Sequence, residues 1–242
     1  MAAPCSETQR VRAVYRRYDA SERAQRKRDP RNPGVWRMRS ERWQITGAIL
    51  GSRFPDSGEG VRVLDVGCGD GDDLVRINQL LPKAELFGID LSADRIGRAR
   101  LAVPCARLWV QGGETLPFPD RSVQVVVLST VLSSILDPAT RRSVAAEAYR
   151  VIRDDGILLI YDIRLPSPWN PNVLPISKKE LRTALPLARI RAQPITLLPP
   201  LARAVCGIWS DLYEPLARIR PLRSHYLAVI TRGQPDGRER SS

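Results

Sequence analysis

The chain has 242 residues, with 38 Lys and Arg against 26 Asp and Glu, for a net charge of +12. That length suits one domain, or one domain with an appendage, and 43% hydrophobic with 26% charged residues marks a globular protein. Four scattered cysteines (Cys5, Cys68, Cys105, Cys206) without a CxxC pair, and a lone histidine, His225, exclude a disulfide scaffold and a His-built zinc centre, so no metal is expected.

The longest apolar stretch, Val125 to Leu136, is interrupted by Ser and Thr and is too short to span a bilayer. The opening MAAPCSETQR has no signal-like apolar run, so a cytoplasmic protein is expected. Lysine occurs only at 27, 83, 178 and 179, so arginine dominates the positive charge. Residues 1–43 hold 12 basic and five acidic side chains, a surplus that concentrates anionic partners nearby.

Two amphipathic segments open the chain, Glu7–Tyr18 and Trp36–Leu50, the second with Trp36, Trp43, Ile45 and Ile49 as apolar positions. Between them the prolines and glycine of Arg28–Gly34 break any helix. Strand and helix then alternate: strand Val61–Val66, helix Asp72–Leu81, strand Ala84–Asp90, helix Ser92–Ala102 with Ser92 as N-cap, and strand Leu108–Gln111. Strand Val123–Ser129 follows, then helix Thr140–Arg153 ended by Asp154-Asp155-Gly156, then strand Ile157–Ile163. After Arg164 the chain turns Pro-rich, with Trp169 and Trp209 as large anchors. Strands Arg189–Leu197 and His225–Thr231 flank a helical stretch at Leu201–Ile219. Continuous apolar runs in the strands are those of a sheet buried on both faces. The expected fold is α/β, a doubly wound, mostly parallel sheet. Its organisation is a helical arm or lid at 1–50, a sheet domain at 51–232 and a frayed tail at 233–242.

The sharpest feature is Val63-Leu64-Asp65-Val66-Gly67-Cys68-Gly69-Asp70-Gly71, a strand running through alternate glycines into a helix. Such a loop brings backbone N–H groups to a ligand at the strand's carboxyl end, and Asp90, ending the next strand, suits ribose hydroxyls. A dinucleotide fingerprint is GxGxxG with a pyrophosphate at the helix N-terminus. Here the spacing is GxGxG and Asp70, Asp72 and Asp73 crowd that helix entrance, which disfavours phosphates and favours a cofactor carrying an ammonium and a sulfonium. S-adenosylmethionine (SAM) is the cofactor expected.

From Val61 to Ile163 the chain resembles the class I SAM-dependent methyltransferases, particularly their small-molecule branch. VLDVGCGDG looks like the first family motif, GIDLS (Gly88–Ser92) like the second, and ETLPFPDRSVQVVV (Glu114–Val127) like the segment joining the third and fourth strands. RVIRDDG (Arg150–Gly156) is similar to the turn before the fifth. The resemblance implies that Asp65 and the backbone of Gly67 and Gly69 hold the methionine part, Asp90 the ribose and Leu91 the adenine. Cys68, a small residue of the loop, with Gly113, Glu114 and Ser129, completes the cofactor set. Gln111-Gly112-Gly113 stands where many relatives carry an Asp, and Gln124 where an acid usually precedes the fourth strand.

Asp162, the only carboxylate at the ends of the fourth and fifth strands, is the expected general base or acceptor anchor. His225 reads as a core or edge residue of its strand. The chain lacks a (D/N)PPY sequence after the fourth strand, the family mark of base-amine methylation, which leaves small carbon, oxygen or nitrogen acceptors. The expected acceptor is a small metabolite or a glycan or natural-product precursor, anionic or sugar-linked ones included, methylated at oxygen or carbon, and nucleic acid is not expected. The rival readings are an RNA methyltransferase, a non-catalytic SAM-binding partner protein and an NAD-dependent oxidoreductase.

Overall fold

The computed structural model describes residues 6–168 and 170–233, so Trp169 and the tail beyond Gly233 lie outside the described residues. Among the described residues, strands β1 (Arg62–Val66), β2 (Glu85–Asp90), β3 (Arg107–Val110), β4 (Val123–Ser129), β5 (Ile152–Ile163), β6 (Ala188–Leu197) and β7 (Arg223–Arg232) form one sheet. Its order is β3-β2-β1-β4-β5-β7-β6. β1 to β5 are parallel, and β7 runs antiparallel between β5 and β6. The helices are α1 (Glu7–Ala20), α2 (Glu22–Arg26), α3 (Pro33–Arg53), α4 (Asp72–Leu80), α5 (Ala93–Ala102), α6 (Pro138–Val151), α7 (Lys178–Ala184), α8 (Pro199–Cys206) and α9 (Tyr213–Ala217).

Successive strand residues point to opposite faces, which divides the core in two. Leu64, Val126, Leu128, Leu158 and Ile160 pack on α6 and α7 through Val144, Ala148 and Leu181. Val63, Val125, Val127, Ile157 and Leu159 pack on α3, α4 and α5 through Leu50, Leu74, Ile77 and Ile96. The sheet is covered on both faces, as its apolar strands require.

Four details differ from the sequence reading. Gly156 does not cap a helix: α6 stops at Val151 and the chain enters β5 at once, with a bulge where the β4 pairing passes from Val123–Ile152 to Val125–Ile157. A Cβ on Gly156 would lie 2.7 Å from the Gln124 carbonyl oxygen, so close backbone approach selects this glycine. The stretch expected helical over 201–219 divides into α8, a 3-10 turn and α9. Pro33 starts α3 behind the Asn32 cap, placing Val35, Met38, Thr46 and Leu50 inside, while Trp36 is turned to solvent. Lastly, α2 and α7 are extra short helices, each begun by a serine cap, Ser21 and Ser177.

α1 and α3 sit differently. α3 is fastened to the sheet by Glu41, whose carboxylate accepts from Thr196 N–H (2.9 Å), Tyr213 O–H (2.7 Å) and Arg223 Nη1 (2.5 Å). α1, begun by a Ser6–Gln9 capping box, lies across the carboxyl ends of the strands. Tyr15 O–H meets Ser134 Oγ at 2.8 Å, Arg10 donates to the Ser134 carbonyl at 2.5 Å, and Asp19 pairs with Arg95 and Arg98.

Candidate active site

β1 leads into the glycine loop, where Gly67, Gly69 and Gly71 take φ of +78°, +55° and +86°. These are left-handed values that a side chain resists. Gly67 has no room for one: its Cβ would lie 2.6 Å from Val131 Cγ2. The loop is pinned to β2 because Gly67 and Cys68 both donate to the Ile89 carbonyl, at 2.8 and 2.9 Å. Asp90 fixes it further, accepting from Gly69 N–H at 3.0 Å and Ser92 N–H at 2.8 Å. Burial raises the Asp90 carboxyl above its ordinary value, and two carboxylate lone pairs remain for a ligand.

Two cavities meet at this loop. The first, about 330 Å³, has Gly67, Asp90, Leu91, Gly113, Glu114 and Ser129 along one side. α1 roofs it with Thr8, Val11, Tyr15 and Tyr18, and Thr8 Oγ1 donates to Glu114 at 3.3 Å. The second, about 390 Å³, is lined by Asp65, Gly67, Cys68, Gly69 and Ser129, and beyond them by Arg42, Tyr161, Thr196 and His225. Every residue expected to hold the cofactor faces one cavity or the other. Cys68 contributes as a small buried residue, its thiol pushed up by burial, with no reactive thiolate.

Asp162 is the exception. It is fully buried, faces neither cavity, and accepts from Ser133 N–H (3.1 Å) and Ile163 N–H (2.7 Å). Strand alternation explains the difference: Asp162 points with Leu158 and Ile160, whereas Tyr161 points with Ile157 and Leu159 into the second cavity. The expected general base therefore holds the turn after β4. Burial pushes its carboxyl up to about 6, so the folded state binds a proton that the unfolded chain has released, and stability falls as pH rises from about 4 to 6. Asp162→Asn keeps one of the two acceptor oxygens and removes the ionisation. It should flatten that slope between pH 4 and 6, with the second hydrogen bond lost at every pH. Urea titrations at several pH values check this.

The acids at the helix entrance also differ from the reading of the sequence. Asp70 pairs with Arg98 at 2.8 Å, Asp72 with Arg39 at 2.6 Å, and Asp73 with Arg42. Their charge is largely offset and does not by itself repel a phosphate. Asp65, on the strand leading into the loop, has no ion pair among the described residues. It is buried, its Oδ1 has no hydrogen-bond partner, and burial holds its carboxyl well above the ordinary value. An unpartnered buried carboxylate beside a glycine loop fits the ammonium of an amino-acid moiety.

Arg42, one of the basic residues of the arm, is buried between Asp73 and the Tyr161 ring, 4.5 Å from its centroid. Thr130, at the end of the fourth strand, and Thr196, which sequence reasoning missed, are β-branched residues at φ +55° and +65° lining the second cavity. Only pairing across the fold brings these residues together, and no local pattern marks them. His225, expected as a core or edge residue, lines that cavity half-buried.

Residues 63–156 match the profile of the methyltransferase domain family. Over that stretch the chain is similar to methyltransferase domains. An uncharacterized methyltransferase of Synechocystis sp. is 36% identical over 111 residues, which is 46% of this chain and 50% of that protein. A trans-aconitate 2-methyltransferase of Azoarcus sp. is 29% identical over 164 residues, 63% of this chain and 60% of that one. The chain thus spans half to three-fifths of the length of these relatives. The crystal structure of geranyl diphosphate C-methyltransferase from Streptomyces coelicolor, with geranyl diphosphate and S-adenosyl-L-homocysteine bound, shares the fold at a TM-score of 0.60 and 16% identity. That match covers 78% of this chain and 79% of that one. The family's cofactor is SAM. No helix among the described residues is long and apolar enough to cross a membrane.

Proposed function

We propose that the protein transfers a methyl group from SAM to a small acidic metabolite, at oxygen or carbon. The observation that carries this reading is the junction of two cavities at Gly67 and Ser129, one with a ribose-type carboxylate and the other with an unpartnered acid. Asp90 would take the ribose hydroxyls, Leu91, Gly113 and Glu114 the adenine, and Asp65 with the backbone of Gly67 and Gly69 the amino-acid end. Gly113 has the close approach such a cradle needs, since a Cβ there would lie 3.0 Å from Val66 Cγ1. The bound cofactor supplies an electrophilic methyl on a sulfonium. The chain's part is to align the acceptor and exclude water, and α1 (the covering part of the arm) roofs the cofactor cavity.

Lys27, Arg28 and Arg203 stand at the mouth of the second cavity, and Arg203 loses proton affinity by burial without a carboxylate beside it. Cations so placed suit an acidic acceptor. Trans-aconitate and geranyl diphosphate, named for the relatives above, are both anions. Incubation with methyl-labelled SAM, a metabolite extract and total RNA tests the reading by product mass. Label is expected in a small acidic molecule. Label confined to RNA, or cofactor binding without transfer, would overturn it.

A further inference from the structure

We propose that His225 is the hydrogen-bond acceptor of the second cavity and that its Nε2 selects an acceptor molecule bearing a hydroxyl group. This rests on the methyltransferase reading and adds the chemical class of the acceptor.

The argument starts from one serine proton. His225 Nδ1 lies 2.7 Å from Ser224 Oγ, and Ser224 Oγ lies 3.2 Å from the Thr196 carbonyl oxygen. A carbonyl only accepts, so both contacts are satisfied together when the single hydroxyl proton goes to Thr196 and the serine oxygen accepts from Nδ1–H. In that arrangement the imidazole carries its proton on Nδ1 and a bare lone pair on Nε2. Among the described residues no hydrogen bond reaches Nε2, yet it is not among the polar atoms sealed without a partner. It opens into the cavity that His225 lines.

The ring is held rigidly. It stacks on Tyr161 with centroids 4.8 Å apart and planes 5° from parallel, and the Arg42 guanidinium lies 4.5 Å from the same tyrosine centroid. Burial first, and Arg42 second, depress the imidazole to about 4, so it is neutral around pH 7. Val35, Met38 and Pro199 add apolar wall to a cavity otherwise lined by charged side chains, and an occupant that displaces water from Nε2 is preferred when it returns a donor.

With one histidine in the chain, nitrogen-labelled histidine gives a single imidazole spectrum on the intact, ligand-free protein. The expected spectrum is that of the Nδ1–H tautomer with bare Nε2. Phenol should shift Nε2 and bind at least about tenfold tighter than benzene, the ratio expected of one hydrogen bond. His225→Gln should bind S-adenosylhomocysteine as the parent does and lose the preference for phenol. An Nε2–H tautomer, or an Nε2 signal indifferent to phenol in a protein that binds S-adenosylhomocysteine, would overturn the assignment. The expected tautomer in a protein that binds no S-adenosylhomocysteine would sink the methyltransferase reading instead.

Discussion

Gly67→Val is expected to abolish SAM binding. Two costs fall on the same atom. The backbone sits at φ +78°, where a β-branched residue is strained by about 1–3 kcal/mol, and the new Cβ would lie 2.6 Å from Val131 Cγ2. Relief requires the loop or the turn carrying Val131 to move, and both line the cofactor cavity. Gly69→Val should be milder. Its Cβ would meet only Arg95 Nη1, at 3.7 Å, leaving the strain of φ +55° alone. Calorimetric titration with S-adenosylhomocysteine should rank the parent above the Gly69 variant and the Gly69 variant above the Gly67 variant. Equal affinities would remove the loop from the site.

Removing residues 1–20 should weaken SAM by about ten- to a hundred-fold while the sheet stays folded. The cut takes away α1 and with it Thr8, Val11, Tyr15 and Tyr18, the roof of the first cavity. It leaves α3, whose Val35, Met38 and Leu50 belong to the buried core. Cutting at residue 43 would break that core and mix two effects. Circular dichroism reports the sheet, and titration of cofactor and RNA reports the arm. Unchanged cofactor affinity with lost RNA binding would make the arm a nucleic-acid tether.

The fold was legible because its signals are local. Strand runs such as Val125–Leu128, the glycine loop and the Ser92 cap each specify their own conformation, and their alternation with helices specifies a mostly parallel sheet. Gly156 misled because a glycine after a helix looks the same whether it caps the helix or admits a neighbouring strand's carbonyl. Trp36 misled by one position, since the α3 stripe is set by what α8 and the sheet offer it. The residues expected to hold the cofactor are nearly contiguous, and a local pattern could name them. The far side of the second cavity is assembled from Arg42, Tyr161, Thr196 and His225, spread over α3, β5, β6 and β7. Asp162 rather than Tyr161 drew attention because chemistry was visible in the sequence and direction was not.

Titration of SAM into the full chain is the most direct test, with Gly67→Val alongside. The two-cavity site predicts saturable one-to-one binding by the parent and none by the variant. No binding by the parent, or equal binding by both, would contradict it.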